Sequence, residues 1–177
     1  MTRMMPATVD YPGPIYIRLA KGHDPIVTTD DEPFVIGKAY VTREGDDALI
    51  ITTGITLGIA QKAADALSAR GTETAIIHVP TVKPLDRDTI LTYCRKISNI
   101  VVIEEGLING GLGSAVAELI AEANFESPKS FKRIGIPDVF PDIYGSQEDQ
   151  LKYFDITADN LIASITQAQR ILGKAVV

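Results

Sequence analysis

A chain of 177 residues that is 45% hydrophobic can build one core and is too apolar to be disordered. Its net charge of -6 argues against a general nucleic-acid binder, and no apolar run approaches a membrane span. A single cysteine, Cys94, excludes an internal disulfide and, with no visible signal peptide, fits a cytoplasmic protein.

Met1 to Val9 is short and weakly patterned, and no element is expected there. Ile15-Tyr-Ile-Arg-Leu19 follows the turn-rich Tyr11-Pro-Gly-Pro14 and reads as a short strand. Lys21 to Pro33 has two prolines, several acids and no periodicity, which makes it a linker or an exposed arm. Phe34 to Thr42 is expected as a β-hairpin arm that turns at Arg43-Glu-Gly-Asp-Asp47. Ala48-Leu-Ile-Ile-Thr52 then forms the first core strand. A helix reaches Arg70 with Ile55, Ile59, Ala63, Ala66 and Leu67 on one face, and Gly71 stops it as a left-handed cap.

Thr74-Ala-Ile-Ile-His78 is the second core strand. Asp86 is a good N-cap for a helix to Lys96, and Asn99 to Ile103 is the third strand. A glycine-rich turn leads into a helix from Gly113. Ser130 to Ile134 is a fourth strand, and Gly135-Ile-Pro-Asp138 opens a proline-rich loop. Helices over 148–154 and 158–172 close the chain, the second capped by Thr157. Strands alternating with helices at this spacing imply an α/β fold. Its layers are three and its sheet is doubly wound and mostly parallel, with right-handed crossovers.

The most informative stretch is Ile100-Val-Val-Ile-Glu-Glu-Gly-Leu-Ile-Asn-Gly-Gly-Leu-Gly-Ser-Ala-Val116, a buried strand, a turn and a helix start. Gly111-x-Gly113 supplies the first part of a dinucleotide fingerprint, but Val116 stands where its last glycine belongs. Two carboxylates also precede the turn and would repel a pyrophosphate. The plainer reading is that Gly110, Gly111 and Gly113 let the helix begin close against the sheet. Glu104 and Glu105 point to opposite faces if the strand holds, so without a bulge they cannot serve one site as an acid/base pair. A hydrogen-bonding role at the strand end, or a subunit contact, suits them better. His78 reads as a satisfied core histidine, and His23 lies in the linker. Two distant histidines and one cysteine make no recognisable metal set. Cys94 sits on an ordinary helix face, which disfavours a nucleophile. Arg18 lies between Ile17 and Leu19 on an apolar strand, so its head must find solvent, a surface carboxylate or an anion.

Several pieces, in order, resemble one family. They are Ile15-Tyr-Ile-Arg-Leu19, Asp46-Asp-Ala-Leu-Ile-Ile-Thr-Thr-Gly54, Val82-Lys-Pro-Leu-Asp86, Val102-Ile-Glu-Glu-Gly106 with Gly110-Gly-Leu-Gly-Ser-Ala-Val116, and Gly135-Ile-Pro-Asp138. Together they are similar to the carboxyl-terminal section of transketolase-type, thiamine diphosphate-dependent enzymes. The 1-deoxyxylulose-5-phosphate synthases and 2-oxoacid dehydrogenase beta subunits share much of this series. The ending Gly145-Ser-Gln-Glu-Asp-Gln-Leu151 looks closer to transketolase and the synthase.

The resemblance implies that residues 1–20 end with the last strand of a missing pyrimidine-binding domain. It makes 21–33 a linker and 34–177 the carboxyl-terminal domain. The implied role is a structural and dimerising part of an enzyme that moves a two-carbon ketol unit between sugar phosphates, not catalytic alone. A fragment of the synthase or of the dehydrogenase beta subunit is the enzymic alternative. A free-standing anion- or nucleotide-binding module is the alternative from another class. Thiamine diphosphate and magnesium belong to the complete enzyme and are not expected to bind this chain alone, since nothing in it matches the family's cofactor ligands. Arg18 matches a family arginine that holds the sugar phosphate. The family's paired subunits imply a homodimer, or association with the missing cofactor domains.

Overall fold

Three runs of β-branched and aliphatic residues set the centre of the molecule: β2 (Ala48–Thr52), β3 (Thr74–His78) and β4 (Asn99–Leu107). Every residue of β2 and β3 is buried, as expected of parallel strands covered on both faces. The computed structural model describes residues 3–19 and 33–174. The expected linker over 21–33, with His23, lies almost wholly outside the described residues.

With β1 (Tyr40–Arg43) and β5 (Ser130–Ile136) the strands form a five-stranded sheet in the order β1-β3-β2-β4-β5. All neighbours are parallel except β1 and β3. Two helices cover one face: α2 (Thr56–Ser68) and α6 (Ala158–Lys174) pack Leu57, Ala60, Leu67, Leu161 and Ile165 on Ile50, Ile76 and Ile103. On the other face α3 (Arg87–Lys96) and α4 (Leu112–Glu122) pack Ile90, Cys94, Leu112 and Val116 on Leu49, Ile51, Ile77 and Val102. The expected three-layer, doubly wound α/β fold is therefore the fold observed.

The caps follow the side chains that make them. Gly71 adopts a left-handed φ of 79°, and the amide of Thr72 returns to the carbonyl of Leu67 at 3.0 Å. Asp86 accepts from the amide of Thr89 at 3.2 Å and starts α3. Thr157 accepts from the amide of Asn160 at 3.2 Å and starts α6. A short helix α5 (Gln147–Tyr153) opens with a reciprocal box between Ser146 and Asp149.

Four expectations need correction. Ile15 to Leu19 is not a strand: no described strand lies beside it, and a strand exists only by pairing. Met4–Val9 is a short helix, α1, where no element was expected. The segment before β2 is not one arm of a hairpin with it, because β1 crosses over to pair antiparallel with β3, Tyr40 opposite His78. The buried face of α2 is Thr56, Leu57, Ala60, Ala63, Ala64 and Leu67, with Ile55, Ile59 and Ala66 only half buried. Ala63 and Leu67 of the expected stripe are buried, but the face is rotated toward Leu57, Ala60 and Ala64, and Ile59 packs only at the edge of that core.

Candidate functional site

The carboxyl ends of β2, β3 and β4 gather most of the polar side chains singled out from the sequence. Strand order reverses between β2 and β4, which makes their ends the natural crevice of such a sheet. The pairing of β4 with β5 shifts register between Ile103 and Leu107, at the two glutamates.

Glu104 turns toward α4. It is buried, and its two carboxylate oxygens accept the amides of Leu112 at 2.9 Å and Gly113 at 2.8 Å. Those are the first free donors of a helix, where the peptide dipoles favour a negative charge. The glycines make room. A Cβ on Gly111 would stand 2.6 Å from the Glu104 carboxyl carbon and 2.7 Å from the carbonyl oxygen of Leu107. A Cβ on Gly113 would stand 3.1 Å from a Glu104 oxygen, and one on Gly135 would stand 3.2 Å from its Cγ. Gly110 instead supplies a left-handed turn, φ 79°, with open space around it.

The glycine turn thus holds an internal carboxylate in the place where an external diphosphate would bind such a helix. The described residues do not fit a diphosphate there. Among them no group of three or more His, Cys, Asp or Glu side chains is placed to hold a metal ion. No step through thiamine diphosphate can be assigned to this chain's own residues.

Glu105 goes the other way. Its carboxylate meets the Arg18 guanidinium at 3.2 Å, with the side chains 13% and 56% exposed respectively. Gln147, at the start of α5, reaches its second oxygen at 3.5 Å. Gly54, in a left-handed turn after β2, packs so closely that a Cβ would lie 3.3 Å from the first oxygen. The sequence offered Arg18 solvent, a carboxylate or an anion, and in the chain alone it takes a carboxylate while staying exposed.

His78 ends β3 between Tyr40 and Thr52. It is buried, as expected, but not satisfied: among the described residues its Nδ1 has no hydrogen-bond partner. Burial without a partner pulls its pKa down to about 4, so the ring is neutral at physiological pH. Cys94 is fully buried, and burial pushes its thiol up to about 11, against a small opposing pull from Lys129. It lacks the thiolate that nucleophilic chemistry needs.

Sequence reasoning missed Arg133 and Gln147. Arg133, on β5, donates to the carbonyl of Ile108 at 2.8 Å and to the Ser114 hydroxyl at 3.0 Å, which pins the glycine turn. Its signal was a cation in an otherwise half-apolar strand just before Gly135. Gln147 carried no signal, because nothing local to α5 says what lies across from it.

The transketolase C-terminal domain family matches residues 37–161. A transketolase family protein of Sinorhizobium fredii is 36% identical over 165 residues, covering 92% of this chain and 47% of its own length. The 1-deoxy-D-xylulose-5-phosphate synthase of Trichormus variabilis is 37% identical over 172 residues, covering 95% of this chain and 27% of the synthase. Among solved structures, a split-gene transketolase described as an inactive beta4 tetramer superposes with a TM-score of 0.86 at 32% identity. That match covers 95% of this chain and 54% of the other. The chain thus spans about half the length of the first relative and about a quarter of the synthase. From the ordered motifs, the sheet and these matches together, the chain belongs to the transketolase C-terminal domain family, found in thiamine diphosphate-dependent enzymes.

Proposed function

We propose that this chain supplies the carboxyl-terminal, structural and dimerising part of a cytoplasmic transketolase-type enzyme. The complete enzyme transfers a two-carbon ketol unit between sugar phosphates. In this reading residues 1–20 close a pyrimidine-binding domain, 21–33 link, and 34–177 form the third domain. The same reading puts the cofactor sites in the two other domains of the complete enzyme. The observation that carries the reading is the likeness to the split-gene transketolase, which spans 95% of this chain but 54% of the other. A chain whose helix N-terminus is already filled by Glu104 agrees with it, and leaves little for a free-standing nucleotide module to use.

Arg18 is the chain's own contact with substrate in this proposal. A guanidinium fork grips a phosphate through paired, charge-assisted hydrogen bonds. In the complete enzyme Arg18→Ala lowers kcat/KM for phosphorylated sugars by about 1.5–3 kcal/mol and leaves non-phosphorylated acceptors nearly untouched.

Two measurements test the function. Isothermal titration of the isolated chain with thiamine diphosphate and magnesium gives no binding; micromolar binding overturns the proposal. Co-expression with a polypeptide carrying the two cofactor domains yields ketol transfer. The synthase reading, favoured by the 37% identity to that enzyme, yields 1-deoxy-D-xylulose-5-phosphate instead.

A further inference from the structure

We infer that Glu105 is a positioning residue for the substrate's anionic end, holding the Arg18 guanidinium by one edge so that its other donors remain open to a phosphate. The inference rests on the reading of Arg18 given above. What carries it is an asymmetry in the pair. The Glu105 side chain is 13% exposed and built in by three separate segments, while the Arg18 side chain is 56% exposed. The segments are the end of β4, the left-handed turn at Gly54 and the first residue of α5. The carboxylate is therefore the fixed member and the guanidinium the guest.

The contact is made by one terminal nitrogen of Arg18 to one oxygen of Glu105 at 3.2 Å, and among the described residues the other guanidinium nitrogens have no partner. A guanidinium has five N–H donors spread over a planar fork, so one carboxylate contact leaves an edge for a second anion. An arginine otherwise free to rotate loses that freedom when it grips a ligand, and a carboxylate that already restricts it reduces the loss. By this route the third domain, which holds no reacting atom, sets the affinity for phosphorylated substrate. The opposite arrangement, in which Glu105 competes with the phosphate for Arg18, makes the opposite prediction.

The test is steady-state kinetics of the complete enzyme, this chain with its cofactor-binding domains, on one acceptor sugar with and without its phosphate. Wild type, Arg18→Ala, Glu105→Gln, Glu105→Asp and the Arg18→Ala/Glu105→Gln double variant are compared. Glu105→Gln raises KM for the phosphorylated sugar about tenfold, with kcat within about twofold and the free sugar unchanged. Glu105→Asp, which keeps the charge on a shorter arm, falls between wild type and Glu105→Gln. The double variant is no worse than Arg18→Ala, because Glu105 acts only through Arg18. A lowered KM in Glu105→Gln means competition and overturns the inference, as does equal loss on both sugars. If Arg18→Ala discriminates between the sugars and Glu105→Gln does not, the inference alone fails. If Arg18→Ala does not discriminate, the phosphate reading of Arg18 fails and this inference with it.

Discussion

Glu104 shows how one side chain can set the geometry around it. Its carboxylate satisfies two amides of α4, and four glycines stand close enough to it that an added methyl would intrude. The glycines differ in what a methyl would meet. Gly111→Ala would press on the carboxylate and on the backbone of Leu107, neither of which can retreat, and costs about 3 kcal/mol. Gly110→Ala meets open space and costs only the left-handed backbone, about 1 kcal/mol. Urea midpoints of the two variants check the order; equal losses would show that conformation, not crowding, selects these glycines. His78 makes a second residue-scale prediction. Its ring is held near pKa 4 in the folded chain against 6.5 when free, so between those values the unfolded state binds the proton and the folded state resists it. Stability is unaffected above pH 6.5 and falls as pH drops through 6.5 toward 4, by about 2 kcal/mol from pH 7 to pH 5. In His78→Leu that slope is much reduced, measured as unfolding free energy in denaturant at the two pH values.

At the scale of elements, Asp86 ties the antiparallel edge to the parallel sheet. Its carboxylate caps α3 through the amide and hydroxyl of Thr89, and it also accepts the amide of Ala39, one residue before β1, at 3.0 Å. Burial works against its charge, but these hydrogen bonds and Lys38 at 3.8 Å outweigh burial and hold its pKa below the usual value. Asp86→Ala therefore does more than remove a cap. It costs about 2 kcal/mol, and amide exchange quickens at Ala39 and along β1 as well as at the first turn of α3. Exchange confined to α3 would show that β1 is held by its ladder with β3 alone. Tyr93 adds a second tie, donating to the Glu44 carboxylate at 2.7 Å from the far end of α3.

At the scale of the molecule, the carboxyl end of the sheet is also where large apolar side chains meet solvent. In the loop after β5, Phe140 is 98% and Val139 54% exposed, and Tyr144 is fully exposed; Leu107 at the end of β4 is also open. Apolar surface of this kind is the sort that a partner chain can cover. The isolated chain is expected to self-associate above its 19.1 kDa monomer mass, most simply as a two-fold pair. Phe140→Asp shifts it toward monomer, since one charge in a covered apolar patch lacks a partner. Light scattering at micromolar concentration measures both, and a monomer at all concentrations removes self-association from the proposal. No described helix is long and apolar enough to cross a membrane, so the patch does not belong to a spanning helix.

The sequence alone determined the parts whose cause is local. Runs such as Ala48–Thr52 and Thr74–His78 read as covered strands, because they are short, rich in β-branched residues and bounded by turn residues, and every residue of both is buried. Asp86, Gly71 and Thr157 could be read as caps, because a cap is satisfied within a few residues of itself. The family was legible for the same reason, through short motifs in a fixed order. Only the tertiary structure decided the pairing of β1, which chooses β3 over its sequence neighbour β2. It also decided that Ile15 to Leu19, with strand-like composition, has no ladder here. Strand alternation already set Glu104 and Glu105 on opposite faces, but the partners were chosen by packing: the nearby start of α4 for Glu104, and the distant Arg18 and Gln147 for Glu105. Strand partners and charge partners are choices between segments. Local composition narrows those choices, but only packing makes them.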